Sequence, residues 1–316
     1  MRPMRNCIAL AVPLLLFASA APLAGQDPEP PTDAQILGIG TDIPGRLTVP
    51  VTIAGKGPYP FTIDTGAERT VISRELAARL GLAAGRGVRI TAMTGTSHVG
   101  TVIVPALAVS TAGKARIEAP LLEGEHLGAP GLLGLDSLQG HAVSIDFDAQ
   151  RMVVSKSRRG GFANYDPSDV IVKAKNLHGQ LVVTDAFYAG SRVRVVLDTG
   201  SVVSIGNLAF RARVGRKQAA FQPIGLTSVT GAVLTADYAQ IGEVKIGSVT
   251  FQNLPVAFAE AAPFRQLGLS DKPAILLGMD ALRQFRRVDI DFARREVRLA
   301  LPRASAKRAL PVGRLD

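Results

Sequence analysis

The chain repeats itself, and the repeat constrains its fold more than any other feature. Displaced by 134 residues, Gly45 to Gly81 falls on Gly179 to Gly215 without a gap. Gly45, Leu47 and Val49 meet Gly179, Leu181 and Val183. Asp64-Thr65-Gly66 meets Asp198-Thr199-Gly200, Thr70 meets Ser204, and Arg79 meets Arg213. The correspondence resumes later in each half: Leu132-Leu133-Gly134-Leu135-Asp136 matches Leu276-Leu277-Gly278-Met279-Asp280, and Ile145-Asp146-Phe147 matches Ile290-Asp291-Phe292. Such self-similarity means that one structural unit occurs twice, here in lobes spanning 41–156 and 173–301. A linker at 157–172 fits, since Arg158-Arg159-Gly160-Gly161 and Asp166-Pro167 interrupt regular structure.

Each unit reads as strands with short helices. Leu47 to Ile53 and Leu181 to Phe187 have the composition of strands. Turns follow at Gly55-Lys56-Gly57-Pro58 and Ala189-Gly190-Ser191. Second strands, Phe61 to Ile63 and Val193 to Leu197, run straight into Asp-Thr-Gly. Further on, Ser73 or Asn207 offers a helix N-cap, and Gly81 or Gly215 ends that helix. Thirty-two glycines and twenty prolines suit short strands joined by turns. The expected fold is all-β, mainly β with short helices, in two pseudo-symmetric barrel-like lobes flanking a cleft.

The N-terminus reads as a signal peptide over 1–24. Arg2 and Arg5 precede an apolar run from Cys7 to Ala18, and Ala18-Ser19-Ala20 is a small-x-small cleavage site. Pro13 and the short run disfavour a spanning helix, with an uncleaved anchor as the alternative. The protein is expected to be exported, periplasmic or secreted, with no stable membrane insertion after cleavage. Residues 25–40 read as an extended leader and 302–316, with Lys307-Arg308, as a basic tail. The single cysteine, Cys7, lies in the segment to be removed, which excludes thiol chemistry and disulfides from the mature chain. His98, His126, His141 and His178 match no metal spacing, so neither metal nor cofactor is expected. The net charge of +10 reads as a solvated basic face, with anionic envelope partners as the alternative. With no tryptophan and 5% aromatics, the chain lacks a base-stacking surface, and no nucleic-acid partner is expected.

A carboxylate at the inner end of a strand is costly unless hydrogen-bonded or used. One in each half of a pseudo-symmetric pair brings Asp64 and Asp198 together. Two carboxyls at such a site do not both ionise readily, so they share a proton and titrate as a unit.

FTIDTGAERTVIS, residues 61–73, resembles the active-site segment of retroviral-type aspartic proteases, and VVLDTGSVVSIGN, residues 195–207, resembles its partner. LLGLD and LLGMD resemble the element that, in this family, crosses behind the active-site loop. The resemblance covers essentially the whole mature chain. It is closest to exported bacterial proteins with two retropepsin-like lobes in one polypeptide, like a retroviral homodimer fused head to tail. It implies an aspartic endopeptidase in which Asp64 and Asp198 hold a water, one acting as general base while its protonated partner polarises the scissile carbonyl. It also implies that Thr65 and Thr199 brace the two loops reciprocally, and that Gly66 and Gly200 let backbone N–H groups approach the carboxylates. Met93, Thr94 and Gly95, with Val229, Thr230 and Gly231, would form flaps closing over a peptide or protein substrate held as an added strand. Neither flap carries the aromatic residue of pepsin-like enzymes.

Ser201 stands where the first half has Ala67. A Ser201 hydroxyl reaching Asp198 makes that carboxylate the more acidic and leaves the proton on Asp64. Asp146 and Asp291 read as turn or strand-edge residues, and Asp136 and Asp280 as N-caps of short helices. Both half-sites lie in one chain, so a monomer suffices, and a dimer is compatible. Two other readings stay open: a non-catalytic peptide- or envelope-binding module that retains the fold, and an assembly scaffold.

Overall fold

The computed structural model describes residues 35–302 except 39, 42–46, 110–111, 115, 160–161, 163–165, 167, 178–179 and 216–219. The signal peptide with Cys7, the leader up to 34, Gly45, Gly179, His178, parts of the linker and the tail from 303 lie outside the described residues. What is described is mostly strand, with a few short helices.

Both halves open with the same hairpin. Leu47–Ile53 pairs antiparallel with Lys56–Ile63, and Gln180–Tyr188 with Ser191–Leu197. Ala54-Gly55 and Ala189-Gly190 make the turns, all four residues at positive φ, as a two-residue hairpin turn requires. The first turn is thus shorter than expected, and Gly57 and Pro58 belong to the second strand. The two turns lie one residue further apart than the two aspartates, and bulges explain why. In the first half the extra residue sits on the second strand, opposite Val51 and Ile53; in the second half it sits on the first strand, between Val183 and Ala186. Total lengths match, so the sequence repeat shows no gap although the hairpins differ.

The chain then crosses itself behind each Asp-Thr-Gly. Leu132 and Leu133 pair parallel with Thr62 and Ile63, and Leu132 pairs antiparallel with Val71. Leu276 and Leu277 repeat this with Val196, Leu197 and Ile205. The crossing needs the glycine that follows: a Cβ on Gly134 would stand 2.4 Å from the Arg69 carbonyl carbon, and one on Gly278 2.8 Å from that of Val203. A polar brace locks the crossing. The Thr70 hydroxyl accepts from the Gly134 N–H (3.1 Å) and donates to Asp136 (2.7 Å), which also accepts from the Thr70 N–H (2.9 Å). Gly278, Ser204 and Asp280 repeat these bonds at 3.0, 2.7 and 3.0 Å.

Asp136 and Asp280 are therefore not N-caps. Gly134 and Gly278 occupy the cap positions, and the carboxylates, two residues further on in the first turn, reach back to the crossing. Satisfying a buried N–H and hydroxyl together outweighs capping a four-residue helix. Ser73 and Asn207 do cap their helices, accepting from the Leu76 N–H (3.1 Å) and the Phe210 N–H (2.9 Å). Gly81 takes the left-handed conformation, whereas Gly215 stays right-handed.

Six strands tie the halves together in the order Gln35–Gly38, Arg151–Lys156, His141–Asp146, Arg287–Asp291, Glu296–Ala300, Val170–Leu177. The first three come from one half and the last three from the other. They meet at the central antiparallel pair, from Ala142 opposite Asp291 to Asp146 opposite Arg287. Asp146 and Asp291 close the adjoining turns, as expected, accepting from the Ala149 N–H (2.8 Å) and the Arg294 N–H (2.9 Å). One buried cluster runs through both halves, with Val49, Phe61 and Met152 from the first and Phe251, Val288 and Val297 from the second. This shared core holds the two Asp-Thr-Gly loops at a set separation. No described helix is long and apolar enough to cross a membrane.

Replacing Asp280 by Ala strips a buried N–H and hydroxyl of their acceptor, and urea unfolding is expected to register a loss of about 1–3 kcal/mol. Asp280→Asn keeps an acceptor and should lose less; equal losses in the two variants would count against the brace.

Candidate active site

The two Asp-Thr-Gly loops are joined by an exchange between their threonines. The Thr65 N–H donates to the Thr199 hydroxyl and the Thr199 N–H to the Thr65 hydroxyl, both at 3.1 Å. Each hydroxyl then donates across the interface, Thr65 to the Leu197 carbonyl and Thr199 to the Ile63 carbonyl, both at 2.8 Å. Thr65 and Thr199 are buried, so each of these four bonds satisfies a group that would otherwise be left unpaired. Leu133 and Leu277 carbonyls accept from the Asp64 and Asp198 N–H groups at 3.0 Å, which anchors the loops to the crossing strands.

This exchange sets the carboxylates against each other. Asp64 Oδ1 accepts from the Gly66 N–H (2.8 Å) and Asp198 Oδ1 from the Gly200 N–H (3.1 Å). Each also lies over the glycine of the opposite loop. A Cβ on Gly200 would stand 2.2 Å from the Asp64 carboxyl carbon, and one on Gly66 would stand 2.9 Å from Asp198 Oδ1. No residue larger than glycine fits at either place.

Burial, and after it the charge of Asp64, raises the Asp198 pKa to about 8, against the lowering effect of the Gly200 and Ser201 N–H groups. The pair therefore holds a proton at neutral pH. The expectation for Ser201 does not hold. Its hydroxyl donates to the Val203 carbonyl at 2.7 Å and does not go to Asp198; only its backbone N–H contributes there. A carboxyl and a carboxylate facing one small space can offer a general acid and a general base to the same molecule.

Two hairpin turns each reach from one half to the other. Met93 and Thr94 join Val88–Ala92 to Gly95–Val99. The Met93 carbonyl accepts from the Ala262 N–H at 3.0 Å, and its side chain packs on second-half residues including Val196, Ile205, Phe264 and Leu276. Val229, Thr230 and Gly231 lie in the turn between Gln222–Thr227 and Val233–Ile241. Val229 packs on first-half residues Val71, Leu122, Leu127 and Leu132, and Gly231 rests on the His126 ring, where a Cβ would come within 2.4 Å.

Among the described residues no group of His, Cys, Asp and Glu side chains could hold a metal ion. One polar contact escaped sequence reasoning altogether. Gln180, buried at the start of a second-half strand, donates its Nε2 to the Gly66 carbonyl in the first-half loop. The only signal was its place one residue ahead of the repeated strand.

The Asp198 proton has a consequence for stability. The folded chain keeps it up to about pH 8, whereas the unfolded chain releases it near the ordinary value of 3.8. Between those values the folded state binds more protons, so stability falls as pH rises, and the loss is complete above the folded pKa. Melting temperature is expected to drop from about pH 5 to about pH 8 in the native chain and to drop less in Asp198→Asn. A difference between the two proteins that stays constant with pH would rule this out.

Comparison with known families agrees with the duplicated architecture. Residues 49–140 match the gag-polyprotein aspartyl protease family, and residues 184–281 match a second aspartyl protease family. Each match contains one Asp-Thr-Gly and its Leu-Leu-Gly partner. No curated protein matches the chain at a significant level. With one such domain in each half and the two joined by a shared core, the chain belongs to the retropepsin-like aspartyl proteases.

Proposed function

We propose that this chain is an endopeptidase in which Asp64 and Asp198 activate a single water against a peptide carbonyl. The observation that carries the reading is the pair itself: two carboxyls locked together by the threonine exchange, with burial and mutual charge keeping one protonated. Asp64 is the base and Asp198 the acid. As the water oxygen attacks the carbonyl carbon, its proton passes to Asp64, and the Asp198 proton passes to the carbonyl oxygen, giving a gem-diol. Asp64 then protonates the leaving nitrogen and the carbon–nitrogen bond breaks. A gem-diol hydroxyl returns its proton to Asp198.

The Met93 and Val229 turns are the flaps of this enzyme, excluding bulk water over the dyad. Both half-sites come from one chain, which supports a monomeric enzyme. Arg2, Arg5 and the apolar run that follows support export as part of the same proposal.

The test is a peptide library incubated with the purified protein and with Asp64→Asn. Cleavage is expected for the native chain and a fall of at least about a thousandfold for the variant. Activity should decline as pH rises through about 8, where Asp198 loses the proton it donates. Peptide binding without Asp64-dependent cleavage would replace the enzyme by a binding module.

A further inference from the structure

Gln180 belongs to the second half, yet its side chain serves the first. Its Nε2 donates to the carbonyl of Gly66, in the Asp64 loop. The residue is 7% exposed, and no described group donates to its Oε1. Flipping the amide does not help. The Gly66 carbonyl only accepts, so the NH2 must face it and the oxygen must face elsewhere. Buried acceptors are otherwise paired, so this one calls for a donor that arrives from outside the fold.

Its position says what arrives. The α-carbon of Gly66 faces both carboxylates, a Cβ there standing 2.9 Å from Asp198 Oδ1 and 3.2 Å from Asp64 Oδ1. The Gln180 amide is hydrogen-bonded to that same residue, on the loop that borders the space between the carboxylates. An extended peptide crossing this space presents a backbone N–H at every residue, pointing alternately to either side. A carboxamide is the side-chain equivalent of a peptide group, with one face to donate and one to accept.

Resting on the endopeptidase reading, we infer that Gln180 is a substrate-positioning residue. Its Oε1 accepts a backbone N–H of the bound peptide close to the scissile bond, while its Nε2 holds the Gly66 peptide group steady beneath. What it recognises is the main chain, whatever the side chains. It also gives the cleft a direction. At the equivalent position of the first half the sequence has Arg46, which carries donors and no acceptor. An acceptor on one side only distinguishes the two ways a peptide can lie across a pseudo-symmetric site.

The decisive experiment is a double-mutant cycle between the protein and its peptide. A statine-type, uncleavable peptide is N-methylated at one backbone position at a time, and each version is titrated calorimetrically against the native chain and Gln180→Leu. Methylation at one position is expected to weaken binding to the native chain by roughly tenfold and to have no further effect in Gln180→Leu. On a cleaved peptide, Gln180→Leu should raise KM by a similar factor. Gln180→Glu keeps an acceptor but donates to Gly66 only while protonated, so its activity should fall further as pH rises through the new carboxyl. It also serves if Gln180→Leu does not fold.

A lower melting temperature with unchanged KM, affinity and pH profile would make Gln180 merely structural and overturn the inference, as would a methyl scan with no position that couples to Gln180. If the native chain binds peptide without cutting it, the endopeptidase reading fails while the cycle still decides the role of Gln180. If no peptide binds, both fall.

Discussion

Two carboxyl groups held face to face in protein surroundings repel strongly when both are charged. Much of this molecule can be read as the apparatus that holds them there. The threonine exchange fixes the loops to each other, the crossing leucine pairs fix each loop to its own half, and the six strands that span the two halves fix them together. A shared proton lowers the repulsion that this framework must withstand. The same proton makes the pair chemically unequal, although the loops around it are nearly identical in sequence.

The two halves also depart from symmetry in small ways. Ser201 spends its hydroxyl on the Val203 carbonyl, where the first half has the methyl of Ala67. The bulges sit on opposite strands of the two hairpins. Gly81 turns left-handed at the end of its helix, and Gly215 does not. Such differences leave the dyad in place because they fall outside the bonds that define it. Gln180 is the exception, since it touches an Asp-Thr-Gly loop directly and comes from the opposite half.

Much of this architecture was legible in the sequence because it is written in local signals. Ser73 and Asn207 announce helices, Asp146 and Asp291 announce turns, and the gap-free repeat announces that Asp64 and Asp198 occupy equivalent places. The misreadings share one cause. Asp136 and Asp280 look like caps because a cap is the local use of an Asp ahead of a short helix, yet their partners, Thr70 and Ser204, lie more than sixty residues away. Ser201 was assigned by proximity in sequence to Asp198, and the nearer Val203 carbonyl claimed it. The contact of Gln180 with Gly66 spans 114 residues, and the docking of Met93 on the far half leaves no trace in periodicity or spacing.

The crossing of the flap turns bears on how such a chain can change over time. Met93 is seated on residues of the second half and Val229 on residues of the first. After a duplication, two copies are ordinarily free to drift apart, each tested only against its own interior. Here each copy supplies a turn that is seated on the other, so a substitution at Phe264 or Leu127 is judged by how a residue more than a hundred positions away still fits. The halves have diverged in sequence, yet neither is a complete unit to inherit, lose or recombine alone.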